Sequence, residues 1–128
     1  MHSALATIFT LIPIVLAAPS ELGKRNPGNV YMCTGGGWGN TCSNVFIGSA
    51  NGDYSKTCQK LPAPYFGSIG SAGPDKGALC RLFDSAHSGC TGSGLAILTY
   101  PGDKNLYAEN DAGHKAQYIA CITCTACT

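Results

Sequence analysis

Charge is scarce in this sequence and aromatic residues are few. Only 12% of its 128 residues are charged, and the formal net charge is +1. Beyond residue 25 the balance is closer still: Lys56, Lys60, Lys76, Arg81, Lys104 and Lys115 face Asp53, Asp75, Asp84, Asp103, Glu109 and Asp111. No basic stretch accumulates, which argues against nucleic acid or an anionic membrane as the partner, since both are recognised through clustered positive charge. No apolar run reaches the roughly 20 residues that a transmembrane helix needs. No window sustains a helical apolar period, which disfavours a helix bundle. No Asn-x-Ser/Thr sequon follows Asn26, so N-glycosylation is not expected.

What is present begins with an apolar run over residues 5–16, broken only by Thr7, Thr10 and Pro13 and ending in Ala17 and Ala18. Its length and its small terminal residues describe a signal peptide, residues 1–17, cleaved before Ala18. The pair Lys24-Arg25 lies a few residues further on, and two adjacent cations on an exposed segment suit an acidic protease subsite. Residues 18–25 are therefore expected to be a pro-segment, and residues 26–128 a single domain.

All eight cysteines, Cys33, Cys42, Cys58, Cys80, Cys90, Cys121, Cys124 and Cys127, lie in that domain. An even count in a short secreted chain predicts a disulfide framework, although eight cysteines allow 105 connectivities. The tail Cys121-Ile122-Thr123-Cys124-Thr125-Ala126-Cys127 raises a metal site as the alternative. An oxidising compartment and the lack of a second Cys/His cluster weigh against it.

Short apolar runs alternate with Gly and Pro turns. Strands are expected over 29–33, 44–47, 78–83, 94–100 and 117–123, with turns at Gly35-Gly36-Gly37, Asn51-Gly52-Asp53 and Pro101-Gly102-Asp103. Residues 104–113 have room for one helical turn. A weak repeat is superimposed. Val30-Tyr31-Met32-Cys33 leads through Trp38-Gly39 to Cys42, and Ala78-Leu79-Cys80-Arg81-Leu82-Phe83 leads through Ser88-Gly89 to Cys90. Each unit then reaches a stretch able to return as a final strand, 66–72 in the first and 117–121 in the second. Two units of this kind predict duplicated Greek keys in an all-β sandwich.

These halves resemble the βγ-crystallin Greek-key motif, in which an aromatic, a hairpin carrying an aromatic and Gly, and a later Ser-bearing strand recur. Residues 76–92 are similar to the corresponding stretch of killer-toxin-like members of that fold. Tyr31-x-Cys33, Trp38-Gly39, Cys42 and residues 69–77 look like a pattern of small secreted cysteine-rich fungal proteins. The resemblance covers residues 30–121. It implies a small disulfide-stapled βγ-crystallin-like sandwich of two Greek keys, and a killer-toxin-like antimicrobial or a host-directed effector. Calcium sites of the family use adjacent Asn/Asp residues followed shortly by Ser. Here the matching stretches are Phe66-Gly67-Ser68-Ile69-Gly70-Ser71 and Gly113-His114-Lys115-Ala116-Gln117-Tyr118, and neither holds an acidic pair. Asn110-Asp111 lies out of register. No metal and no cofactor are expected.

Catalytic constellations are poorly represented. A small secreted ribonuclease would draw on His87, His114, Glu109 and Arg81, yet no local signature of those enzymes is present. A glycosidase needs two carboxylates about 5–10 Å apart in a cleft, whereas the carboxylates here sit in turn-like segments. Ser93 lies between two glycines with no helix after it, unlike a nucleophile elbow. Trp38 on its Gly-rich loop, and Tyr65 and Phe66 after Pro62-Ala63-Pro64, are the candidate contact residues, because a flat aromatic can stack on a sugar or anchor an interface. Trp38 folded over its own hairpin is the competing expectation. The function expected is therefore non-enzymatic: a secreted monomer that binds an extracellular target on a competitor microbe or a host. A cell-wall carbohydrate-binding module is the first alternative and the ribonuclease the second.

Overall fold

Strict alternation of apolar and polar side chains makes the first strand: in β1 (Asn29–Cys33) Val30 and Met32 turn inward and Asn29 and Tyr31 outward. The structure, a computed structural model, describes residues 27–127, so the apolar run over 5–16 and the Lys24-Arg25 pair lie outside the described residues. Six further strands follow: β2 (Cys42–Phe46), β3 (Gln59–Lys60), β4 (Ser71–Pro74), β5 (Ala78–Phe83), β6 (Ala96–Thr99) and β7 (Tyr118–Thr123). A single helical turn, α1 (Ala112–Lys115), precedes β7.

The strands form two antiparallel sheets, ordered β2-β1-β4 and β3-β7-β5-β6. Each half of the chain lends a piece to the sheet of the other. From the first half, β3 joins the second sheet, where Gln59 pairs with Ile119 and Lys60 with Tyr118. From the second half, Asp103 bridges to Ala72 of β4 through two backbone hydrogen bonds of 2.9 and 3.0 Å. This reciprocal exchange is what closes two Greek keys into one sandwich rather than two separate hairpin units. The fold is all-β, as the resemblance implies.

Between the sheets lie Val30, Met32, Ile69, Leu82, Leu98, Leu106 and Ile119, each fully buried. Burial of side chains of this size is worth about 1.5–3 kcal/mol each. Four disulfides staple this modest core: Cys33–Cys42, Cys58–Cys90, Cys80–Cys121 and Cys124–Cys127. The tail cysteines thus pair with each other.

Several expectations need adjustment. The return strand of the first half begins only at Ser71, because Gly67 sits at φ 67° and turns the chain, while Gly70 presses so closely on the Gly35 backbone that a side chain there would clash. The helical turn falls at 112–115 instead of near Leu106 and Tyr107; Leu106 is instead drawn into the core. The two-residue β3 carries too little pattern to be visible in the sequence. Strands β2, β6 and β7 are displaced from their expected limits by one or two residues.

Candidate functional site

The outer face of the first sheet carries a groove, and its floor follows from strand register. Tyr31 stands opposite Asn44 on one side and Gly73 on the other. Gly73 has no side chain, and a Cβ there would collide with the Pro101 carbonyl, so the crossing segment from the second half lies directly against it. The result is a hollow of about 520 Å3 walled by Tyr31, Trp38, Asn44, Pro74, Lys76 and Tyr100. A second hollow of about 530 Å3 adjoins it, with Ile97, Thr99, Asp103 and Lys104 on its far side. Trp38 and Pro101 line both, which makes them the ridge between the two.

Trp38 is held there by its hairpin. After β1 the tip 36–38 forms a 3-10 turn, Cys33–Cys42 locks the hairpin base, and the tip folds toward β4. The Trp38 amide donates to Ser71 Oγ at 3.1 Å, and Ser71 Oγ donates to the Gly35 carbonyl at 2.8 Å. The Gly37 amide donates to the Lys104 carbonyl at 2.7 Å. Trp38 itself lies at φ 62°, in the left-handed region that a bulky residue rarely adopts. Strain of this kind persists only where surrounding contacts over-determine it, and it concentrates at functional positions. The ring rests half-buried 6.1 Å from Tyr31, tilted by 34°. Trp38 therefore both packs beside Tyr31 of its own hairpin and lines the groove.

Three of the exposed large apolar side chains, Tyr31 at 41%, Ile97 at 55% and Tyr100 at 45%, belong to these two hollows. Lys76 Nζ lies 5.1 Å above the Tyr100 ring. Asp75 Oδ2 accepts from the Asn29 amide at 3.1 Å and so anchors the start of β1 beside the groove.

The other candidates separate. Tyr65 is only 2% exposed and its hydroxyl is hydrogen-bonded to Ser43 Oγ at 2.7 Å, which corrects its candidacy as a contact residue: its ring is spent on the core. Phe66 is 38% exposed, with Lys60 Nζ 5.1 Å from its ring, and takes no part in either hollow. Tyr31 and Tyr100 line the groove as well, and neither is among the candidate contact residues read from the sequence. Tyr31 carried a signal, being the polar-phase position of an alternating strand. Tyr100 joins the site only through the exchanged segment, which no local pattern reports.

The ribonuclease set is not brought together. His87 Nδ1 meets Asp84 Oδ1 at 2.7 Å and His114 Nδ1 meets Asp111 Oδ1 at 2.6 Å, each pair closing its own turn. Arg81 donates to the Tyr54 hydroxyl and to the Ser93 carbonyl. Only Arg81 and Glu109 share a hollow, without either histidine. The hydrogen bond from His87 holds the Asp84 carboxyl below the usual carboxylate range. Glu109 is pushed up, chiefly by its hydrogen bond to Asp103. Ser93 shares a small hollow with Asp84 and His87, but the Asp84 carboxylate also accepts from the Ala86 amide, as a turn cap does.

The described residues do not fit calcium at the places where the family pattern would put it. Ser71 Oγ is committed to the hairpin, and Asp111 to His114. Among the described residues no group of three or more His, Cys, Asp or Glu side chains converges.

Among solved structures, the chain is similar to a βγ-crystallin domain of Abundant Perithecial Protein from Neurospora crassa in the Ca2+-bound form. The match covers 78% of this chain and 93% of that one, with a TM-score of 0.50 and 9% identity. The likeness is one of fold: a two-Greek-key sandwich of the βγ-crystallin kind, here with four disulfides. No protein-family model and no curated protein matches the sequence.

Proposed function

We propose that this chain is a secreted binding protein that engages an extracellular target through the Trp38 face, in a killer-toxin-like antimicrobial or host-directed role and without catalysis. Removal of residues 1–17 and 18–25 leaves a domain of residues 26–128, whose four disulfides suit an oxidising, protease-rich exterior. The observation that carries the reading is Trp38 itself: strained, pinned by Ser71, and set on the ridge between two adjoining hollows of about 520 and 530 Å3. Energy stored to hold one aromatic ring at a surface is well spent only if that ring touches something. The same aromatic face favours a second reading, a cell-wall carbohydrate-binding module.

The test is growth inhibition of yeasts, filamentous fungi and bacteria by protein recovered from the culture medium, its N-terminus read by intact mass. Inhibition by the oxidised form, lost after reduction and alkylation and lost in Trp38→Gly, is the expected result. Glycine accepts the left-handed backbone at position 38, so this variant removes the ring without adding strain. Absence of inhibition at high micromolar concentration, with retention on insoluble chitin or glucan, would transfer the function to the wall-binding reading.

A further inference from the structure

We propose that the ligand of the Trp38 face is a neutral, linear oligosaccharide lying across both hollows, with Trp38 at the junction between its units. This rests on the reading that the Trp38 face is the contact surface, and it names the chemistry of what that surface holds. Three observations converge on it.

The first is shape. Two hollows of about 520 and 530 Å3 share one aromatic ridge, so the concave surface is an elongated trough and not a closed pocket. Each is within the usual range of small-ligand sites, roughly 300–1,000 Å3. A trough with repeated hollows matches a ligand of repeated units.

The second is charge. The rim carries Asp75 and Lys76 beside one hollow and Asp103 and Lys104 beside the other. A polyanion or a polycation would meet repulsion as often as attraction along this rim. A neutral ligand rich in hydroxyls instead finds both donors and acceptors, including Asn44 and Thr99.

The third is the aromatic set. Tyr31, Trp38 and Tyr100 line the trough with aromatic surface of the kind that packs on the apolar C–H faces of pyranose rings. The Trp38 ring is positioned in advance by Ser71 and by the hydrogen bond from Gly37 to Lys104, which reduces the ordering cost of binding.

The experiment uses Trp38 as its own probe, because it is the only tryptophan. The protein is titrated with β-1,4-linked N-acetylglucosamine oligomers and, separately, with β-1,3-linked glucose oligomers of two to six units, following emission wavelength and intensity. A saturable change is expected for one of the two series, with the six-unit chain binding at least tenfold tighter than the two-unit chain. Tyr100→Ala, in one hollow, and Ile97→Ala, in the other, are each expected to weaken the six-unit chain several-fold; both side chains are exposed, so the fold survives their loss. Equal affinity for short and long chains, or a loss confined to one variant, overturns the spanning arrangement. No response to either series overturns the glycan ligand altogether. Growth inhibition that still depends on Trp38 would in that case leave the contact surface standing, with a protein target on it.

Discussion

The two Greek keys share a topology but are fastened by different chemistry. Matching Cys33 of β1 with Cys80 of β5 puts Ser71 opposite the one and Cys121 opposite the other. In the first half, position 71 is a hydroxyl that ties down the hairpin tip through two hydrogen bonds, while Cys33 bonds sideways to Cys42. In the second half the equivalent pair is itself a disulfide, Cys80–Cys121, buried between β5 and β7. Its hairpin loop is held from outside by Cys90, which reaches Cys58 of the first half. The first half thus folds its tip over its own sheet and displays Trp38. The second half is stitched into the body and serves as scaffold, lending Tyr100 and Pro101 to the display. The two halves share a frame, and the matched positions Ser71 and Cys121 fasten it differently: one ties down a tip, the other closes a disulfide.

The largest effect that sharpens this comparison lies in the scaffold half. Replacing Cys80 and Cys121 together by Ala opens a link that spans 41 residues, and the loop-entropy relation places the loss at about 4 kcal/mol. The same double replacement at Cys124 and Cys127, a span of 3, is expected to cost about half as much by that relation. Urea denaturation of the two variants checks the ratio.

A smaller and more local effect is expected in the display half. Ser71→Ala leaves the Trp38 amide and the Gly35 carbonyl without their partner, a loss of about 1–3 kcal/mol. Its signature is a red shift of Trp38 emission as the tip loosens, which the Cys124/Cys127 variant does not show. An unshifted spectrum would mean that the disulfide alone positions the tip.

The smallest effect is electrostatic. Glu109 is raised by its hydrogen bond with Asp103, so its favourable contribution is complete below the ordinary glutamate pKa and is lost as pH rises through the folded value. Glu109→Gln is therefore expected to melt slightly higher than the parent at pH 7 and no higher at pH 3. Asp84 acts in the opposite sense: lowered by His87, it contributes above the ordinary aspartate pKa and that contribution fades as pH falls. Thermal melts of the variant and the parent at both pH values follow the two together.

Much of this architecture was legible from local pattern. β1 and β5 fall at their expected residues because alternation runs through each, Gly28 and Gly77 precede them, and a Gly-rich turn or the Asp84 cap follows. The duplicated motif was visible through its cysteines and its Trp38-Gly39 tip. The cysteine roles were not, because the repeat suggests equivalent partners and the chain gives them different ones. The exchange of β3 and of Asp103 between sheets was also hidden, since it depends on long-range pairing of segments too short to carry a period. For that reason Trp38 could be singled out from its loop, whereas Tyr100 could not be joined to it. Tyr65 looked equivalent to Trp38 as an aromatic beside turn residues, and only packing shows that its hydroxyl is spent on Ser43.

The central claim is that the display half, through Trp38, makes the contact. Cell association of fluorescently labelled protein tests it most directly, comparing the parent with Trp38→Gly and with Phe66→Ala, which removes an exposed aromatic outside the groove. The account predicts at least a tenfold loss of binding for Trp38→Gly and parental binding for Phe66→Ala. Equal binding by all three proteins, or a loss confined to Phe66→Ala, would contradict it.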